Sequence, residues 1–145
     1  MDFCVDSNVL IYIANELSPF HESTSETVLE ISSRDDNLVV FPQNLIEFWA
    51  VATRPVASNG IGMTILRVEY EITEIMNTFS ILAETPAIYP EWRSLVSAYN
   101  VSGKNVHDAR IVAQMNVHGI VNLLTFNVKD FSRYANIEAI DPANV

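Results

Sequence analysis

The chain has 145 residues, 49% of them hydrophobic, which excludes a disordered segment and predicts one domain spanning residues 1–145. Its formal net charge of −10 argues against a protein that holds nucleic acid through general basicity. No apolar run reaches the roughly 18–20 residues of a membrane helix, and the lone Cys4 has no partner for an intramolecular disulfide. We therefore expect a cytoplasmic protein with no membrane contact.

Strand and helix patterns alternate in the first half of the chain. Residues 1–5 form a short apolar run typical of a buried strand, and Pro42 stands where the first turn of a helix accepts proline. Residues 54–62 are rich in the residue types that form loops. The predicted elements are a strand at 1–5, a helix at 8–14, a helix at 21–33, a strand at 38–41 and a helix from 42 to 51.

Helical spacing of apolar residues returns from 64 to 79, with Thr64 as the predicted cap. We expect Gly103 to end a helix at 90–99 and Asn105 to cap the next helix. The remaining predicted elements are an edge strand at 81–82, a helix at 106–117, a strand at 120–125, a helical turn within 127–134 and a strand at 137–140. This alternation predicts a three-layer α/β fold, in which a central parallel sheet of about four to five strands is flanked by helices.

Polar side chains stand near the ends of the predicted strands. Asp6 ends the first strand, Glu47 lies on the helix after the second, and Asp108 opens the helix before the third long strand. Asn127 and Asp130 follow that third strand. Because ligands of such sheets bind beyond the carboxyl ends of the strands, we expect these positions to converge at one edge of the sheet.

Carboxylates gathered in one place repel one another and are costly to desolvate unless a cation is present. Oxygen ligands with no nearby cysteine or histidine pair favour Mg²⁺ or Mn²⁺ over zinc. A site of this kind can activate water and stabilise an in-line displacement at phosphorus. Spacing alone leaves this prediction open, because any sheet of this type has acids near its strand ends.

Each candidate also has a structural interpretation. Asp6 and Ser7 have side chains that cap helices, and Asp108 is a first-turn acid favoured by the helix dipole. Asp130 is as well suited to capping the turn at Phe131 as to binding metal or water. The candidates for RNA contact, which as lone basic residues are more often solvated, are Arg54, Arg110, Lys129 and Arg133.

Four segments resemble the PIN-domain family, in order and in register, from the first residues to about residue 140. They are DSNVL at 6–10, LIEF at 45–48, HDARIVA at 107–113 and LTFNVKDF at 124–131. The resemblance implies a PIN-like fold and Mg²⁺- or Mn²⁺-dependent cleavage of RNA phosphodiesters. Small bacterial members are commonly VapC-like toxins, so it also implies a homodimer and a cognate antitoxin protein.

In this chain, Asp6, Glu47 and Asp108 match the metal-binding acids of the family. The fourth position departs from the pattern, because Asn127 stands where many members have aspartate. Either Asp130 compensates for the missing charge, or a second metal binds weakly until RNA phosphate supplies ligands. Supporting roles, in holding a metal-bound water or in bonding a neighbouring carboxylate, are expected for Thr125, Ser7 and Asn8.

Two other functions remain open. A phosphatase of the haloacid-dehalogenase type also starts with an aspartate at a strand end, but it normally needs a second aspartate two residues later, where this chain has Asn8. The non-enzymatic alternative is a catalytically weak PIN scaffold that binds RNA or protein, and Asn127 is the residue that favours it. The leading prediction is a metal-dependent ribonuclease, the toxin of a toxin–antitoxin module.

Overall fold

The computed structural model describes residues 1–145 and contains five strands and seven α-helices. In chain order these are β1 (Asp2–Val5), α1 (Ser7–Ala14), α2 (His21–Ser33), β2 (Asn37–Val40), α3 (Pro42–Thr53), α4 (Ile65–Thr78), β3 (Ser80–Ile81), α5 (Ile88–Ala98), α6 (Asn105–His118), β4 (Asn122–Leu124), α7 (Val128–Phe131) and β5 (Glu138–Ile140). Short 3₁₀ turns lie at Val56–Ser58 and Pro142–Asn144. None of the helices has the length and apolar content needed to span a bilayer.

All five strands are parallel and form one sheet in the order β3-β2-β1-β4-β5. The strand β1 lies at the centre, where Cys4 pairs with Val39 of β2 on one side and with Leu123 of β4 on the other. Parallel neighbours need crossover connections, and helices provide them here. The predicted parallel sheet is therefore confirmed, including the edge position of the strand near residue 81.

Two hydrophobic cores lie on opposite faces of the sheet. Along β1 the side chains alternate, so that Phe3 and Val5 pack beneath α1 to α4 while Cys4 packs beneath α5 and α6. Successive residues of a strand point to opposite faces, which is why the central residues of β1, β2 and β4 are apolar on both faces. The result is the predicted three-layer α/β arrangement, with helices on both faces.

Two predicted helix boundaries are wrong. The helix α5 begins at Ile88, because Pro90 is accepted in a first turn, and it ends at Ala98 rather than at Gly103. Asn100 turns the chain there with a φ of 51°, a left-handed conformation that asparagine tolerates better than most residues. Asn105 is the first residue of α6 and not its cap, since Lys104 precedes the helix and offers no capping hydrogen bond.

Candidate active site

A cleft of about 740 Å³ opens at the carboxyl edge of the sheet. Its position follows from the topology, because the chain leaves β1 towards β2 and later returns to the other side of β1 with β4. Parallel sheets bind ligands at such a reversal of strand order. The four residues predicted to bind metal line the cleft together: Asp6, Glu47, Asp108 and Asn127.

Asp6 is the most firmly held of these residues. It follows β1 and caps α1, with Oδ1 accepting a hydrogen bond of 2.7 Å from the backbone N–H of Ser7. Its Oδ2 accepts from the hydroxyl of Thr125 at 2.7 Å and from the amide of Asn8 at 3.2 Å. Burial raises the pKa of Asp6, an effect that the bonds from Thr125 and Ser7 oppose and the charge of Glu47 reinforces. Thus Asp6 caps a helix, as one interpretation predicted, and also faces the cleft.

Asn8 and Thr125 join the end of β1 to the end of β4 at the floor of the cleft. Thr125 is fully buried, and its hydroxyl accepts a hydrogen bond of 3.0 Å from the backbone N–H of Asn127. Asn8 donates to Thr125 at 3.3 Å and accepts from the backbone N–H of Phe126 at 3.3 Å. The two strand ends are therefore joined by side chains whose polar atoms all have partners.

Glu47 lies one turn into α3 and is held from both sides. Its Oε2 accepts from the hydroxyl of Ser7 at 3.3 Å, and its Oε1 accepts from the side-chain amide of Gln43 at 2.9 Å. The same amide of Gln43 donates to the carbonyl of His107 at 2.9 Å. Glu47 is thereby tied to the first turn of α6, on which Asp108 stands.

Gln43 was not among the predicted site residues, although it lies four positions before Glu47 and so on the same face of the helix. Its carbonyl oxygen accepts from the guanidinium of Arg110 at 3.1 Å and from the amide of Gln114 at 2.9 Å. With two donated and two accepted bonds, the side chain of Gln43 has every polar position used. The orientation of its amide towards Glu47 is consequently fixed.

Asp108 stands in the first turn of α6 and faces the other acids without a hydrogen bond to its carboxylate. Its pKa is raised to about 6, first by partial burial and then by the charges of Asp6, Asp130 and Glu47. The neighbouring His107 opposes this shift. Asp108 is therefore the carboxylate in the cleft that the protein itself compensates least.

The fourth position is divided between two residues on neighbouring turns of the chain. Asn127 precedes α7 and lines the cleft, and its side chain makes no capping bond to the helix. Asp130 lies on α7, is exposed and does not line the cleft, yet it is close enough to raise the pKa of Asp108. Asn127 thus offers its oxygen to the cleft, whereas Asp130 adds negative charge at its rim.

In this arrangement no three acidic, histidine or cysteine side chains lie close enough to hold a metal ion by direct contact alone. The acids instead surround an open space with oxygen atoms. This geometry suits a hydrated ion, because Mg²⁺ keeps several waters and takes only one or two carboxylates from the protein. The unbonded carboxylate of Asp108 is the oxygen donor most available to such an ion.

Two basic side chains line the cleft, Arg54 and Lys104. Arg54 was a predicted RNA contact and Lys104 was not, although Lys104 begins a stretch, residues 104–133, in which basic residues outnumber acidic ones. Lys129 and Arg133 are exposed outside the cleft. Arg110 also lies outside it, where its guanidinium is bonded to Gln43 and, at 3.0 Å, to Glu84.

The loop after α3 brings Arg54 to the cleft. Gly62 donates to the carbonyl of Arg54 at 2.8 Å, so the loop closes back on the end of the helix. Gly60 packs directly against Arg54, and a Cβ at that position would stand 1.9 Å from the carbonyl oxygen of Arg54. Only glycine permits this approach, so the loop shape that presents Arg54 depends on Gly60.

Comparisons with known proteins agree with this architecture. Ribonuclease VapC24 of Mycobacterium tuberculosis is 23% identical over 150 residues, which cover 95% of this chain and 94% of that protein. The solved structure of VapBC-1 from nontypeable Haemophilus influenzae has a TM-score of 0.73 at 18% identity and covers 99% of this chain and 100% of that one. VapBC2 from Rickettsia felis, bound to a DNA fragment from its promoter, has a TM-score of 0.73 at 15% identity, covering 97% and 98%. The PIN domain family model matches residues 3–137, and the chain therefore belongs to the PIN-domain family.

Proposed function

We propose that this chain is a metal-dependent ribonuclease that hydrolyses RNA phosphodiester bonds as the toxin of a toxin–antitoxin module. The observation that carries the proposal is the acidic cleft of a PIN domain, where Asp6, Glu47 and Asp108 face one open space. The similarity to Ribonuclease VapC24 supports RNA as the substrate. Arg54 and Lys104 at the same cleft give phosphate groups two positive partners in an otherwise acidic chain.

Metal dependence is general among PIN-domain nucleases of the VapC kind, and the donor set here favours Mg²⁺ or Mn²⁺. The side chains around the cleft offer oxygen atoms and no cysteine, which suits hard cations. Asp6, Glu47 and Asp108 would hold the ion, with the side-chain oxygen of Asn127 as a neutral fourth donor. Asp130 would act through its charge from the rim.

The residues around the cleft have different roles in the proposed reaction. A divalent ion, when bound, would lower the pKa of a water molecule and neutralise negative charge on the phosphate. Asp6 is held rigidly by Ser7 and Thr125, so its carboxylate keeps its direction during turnover. Glu47 is oriented by Gln43. Arg54 and Lys104 bind the phosphates on either side of the scissile bond and place it over the acids.

The direct test is cleavage of total RNA by the purified chain with Mg²⁺, with Mn²⁺ and with excess EDTA. We expect cleavage with either metal, none in EDTA, and a loss of at least about 100-fold in Asp108→Asn. Glu26→Gln, which removes the same charge from an exposed position on α2, should cleave like the unaltered chain. Full activity in EDTA, or in Asp108→Asn, would contradict the proposal.

The two alternative functions are not favoured by the comparisons, since the PIN domain family match covers residues 3–137 and the similar proteins include Ribonuclease VapC24 and the toxin VapC20 of Mycobacterium tuberculosis. The same assay separates them. A phosphatase would release phosphate from a small phosphomonoester such as p-nitrophenyl phosphate, and a binding scaffold would leave every RNA intact with either metal. We expect neither result.

A protein partner is part of the proposal. Solved structures similar to this chain include toxin–antitoxin complexes from Klebsiella pneumoniae and from Haemophilus influenzae. Between α3 and α4 the surface has a groove of about 390 Å³ lined only by apolar side chains, among them Ile46 and Trp49. Exposed apolar surface of this kind supports an interaction with protein. We expect an antitoxin as the partner, a homodimer in solution and a cytoplasmic location, and sedimentation of the purified chain tests the dimer.

A further inference from the structure

A second pocket of about 370 Å³ lies next to the cleft. The first turn of α6 separates the two, because Asp108 lines the cleft while the adjacent His107 lines this pocket. The remaining walls come from the segment between β3 and α5 and from the first turns of α5. A ligand that extends from the cleft over the start of α6 therefore enters the pocket.

Two aromatic side chains form one wall. The rings of Tyr89 and Trp92 have their centroids 5.7 Å apart and their planes inclined by 31°. The indole N–H of Trp92 donates to the carbonyl of Val106 at 2.8 Å, which fixes the ring against α6. Tyr89 is 64% exposed, so its ring can be reached from solvent. The pair offers a rigid ring surface that is open to solvent.

The opposite wall is polar. The guanidinium of Arg110 and the carboxylate of Glu84 are bonded at 3.0 Å and together present donors and acceptors. Thr85 also lines the pocket, but its hydroxyl is buried away from the opening and has no hydrogen-bond partner in the protein. A flat ring with polar groups at its edge can stack on the aromatic wall and form hydrogen bonds with the polar wall.

The pocket and the proposed catalytic acids are joined through one side chain. Arg110 in the pocket donates to Gln43 at 3.1 Å, and Gln43 donates to Glu47 at 2.9 Å. A ligand bound beside Arg110 is thus separated from Glu47 only by the amide of Gln43. This proximity suits two neighbouring parts of one extended molecule.

We infer that the pocket binds an unstacked RNA base, whose ring stacks on Tyr89 and Trp92 while its edge is bonded by Arg110 and Glu84. That the base belongs to the nucleotide next to the scissile bond rests on the proposed ribonuclease function. A base carries no charge. Its stacking on the two aromatic rings is therefore not weakened by repulsion from the chain's net charge of −10. Single-stranded RNA is read in this way, through bases splayed onto aromatic side chains.

The test follows the two indole N–H signals of the protein by NMR, since the chain has only Trp49 and Trp92. The probes are the four ribonucleoside 5′-monophosphates, with ribose 5-phosphate as the control that lacks a base. We expect at least one nucleotide to shift the Trp92 signal and ribose 5-phosphate to leave it in place. Trp49 lies in the groove between α3 and α4, away from this pocket, and its signal should not move.

Tyr89→Ala should weaken nucleotide binding at least about 5-fold, the low end of the effect of removing one stacking side chain. The matched control is Tyr70→Ala, which removes a similarly exposed tyrosine, 58% exposed, from α4. It should leave binding unchanged. In cleavage of total RNA, Tyr89→Ala should raise KM by a similar factor and change kcat little.

The inference is overturned if no nucleotide shifts the Trp92 signal, if ribose 5-phosphate shifts it equally, or if the two tyrosine variants behave alike. It is also overturned if nucleotides leave Trp92 unmoved and Tyr89→Ala instead changes the oligomeric state, since the pocket is then a protein interface. Nucleotide binding without metal-dependent RNA cleavage would contradict the proposed function and leave the base pocket standing. Metal-dependent RNA cleavage without nucleotide binding would contradict the base pocket and leave the proposed function standing.

Discussion

Asp108→Asn removes one negative charge from the cleft and nearly preserves the size of the side chain. Because no hydrogen bond holds the Asp108 carboxylate, the change sacrifices no bond within the protein. It relieves the repulsion from Asp6, Asp130 and Glu47, which together with burial raises the pKa of Asp108 to about 6. We therefore expect the variant to be more stable than the unaltered chain when no metal is bound.

The size of the effect follows from the pKa. A shift of one unit corresponds to about 1.4 kcal/mol, so the rise from 3.8 to about 6 sets an upper limit of about 3 kcal/mol. Asp108 is only partly buried, and screening by solvent reduces the expected gain to about 1–2 kcal/mol. For a domain of this size, that is a rise of roughly 3–6 °C in Tm.

The sign of the pH dependence is fixed by the direction of the shift. An acid whose pKa is raised on folding gives its stabilising contribution in full below 3.8 and loses it as the pH rises through about 6. The advantage of Asp108→Asn should accordingly be largest at pH 8 and clearly smaller at pH 4.5. Thermal unfolding in EDTA at both pH values measures this difference.

Added Mg²⁺ should reverse the order of stability at pH 8. A ligand that binds only the folded chain stabilises it, and the unaltered chain keeps all three acids, whereas the variant lacks one. Glu26→Gln serves as the control for loss of a distant exposed charge and should shift Tm little in either condition. If Asp108→Asn is less stable in EDTA at pH 8, or gains equally at both pH values, then burial and the neighbouring charges do not raise the pKa of Asp108 in the folded chain.

Three further results are expected. Gln43→Leu should lower kcat about 10- to 100-fold, since Glu47 loses the amide that orients it; steady-state cleavage of RNA measures this. Gly60→Ala should reduce stability by about 1–3 kcal/mol and weaken RNA binding, because the added methyl group displaces the carbonyl of Arg54; urea unfolding and RNA binding by fluorescence anisotropy report the two effects. Cys4 is fully buried, and burial raises the pKa of its thiol, so a disulfide reagent such as DTNB should label it only after unfolding.

For each of these three predictions, one result would contradict the reasoning. An unchanged kcat in Gln43→Leu would show that the amide has no part in orienting Glu47, and a fall in activity only above the Tm of the variant would point to folding alone. Normal stability of Gly60→Ala would mean that the loop after α3 adapts without cost. Rapid labelling of Cys4 in the folded chain would require the core beneath α5 and α6 to open frequently.

The positions of Asp6 and Asn127 were predictable because each follows an apolar run that can only be a buried strand. In a parallel sheet the carboxyl ends of the strands share one edge, so placing the strands also places the residues after them. Sequence did not distinguish Asn127 from Asp130, since they lie only three residues apart. Which of them faces the cleft depends on how α7 packs against the sheet, and packing of that kind involves distant residues.

The roles of Gln43 and Lys104 at the cleft could not be predicted from the local sequence pattern. A glutamine in the first turn of a helix is usually solvated, and its role here depends on the carbonyl of His107, 64 residues away in the chain. Lys104 resembles any surface lysine until the loop before α6 is positioned beside the cleft. Arg110 shows the converse, because its charge suggested an RNA contact while two neighbours, Gln43 and Glu84, hold its guanidinium outside the cleft.

The bond between Asp6 and Thr125 joins residues separated by 119 positions. During synthesis from the amino terminus, Asp6 therefore leaves the ribosome long before the strand β4 that completes the floor of the cleft. Contacts between distant residues also form late in folding, because closing a long loop costs entropy. The proposed nuclease consequently has no assembled cleft until the strand β4 and Thr125 have been synthesised and are free to fold.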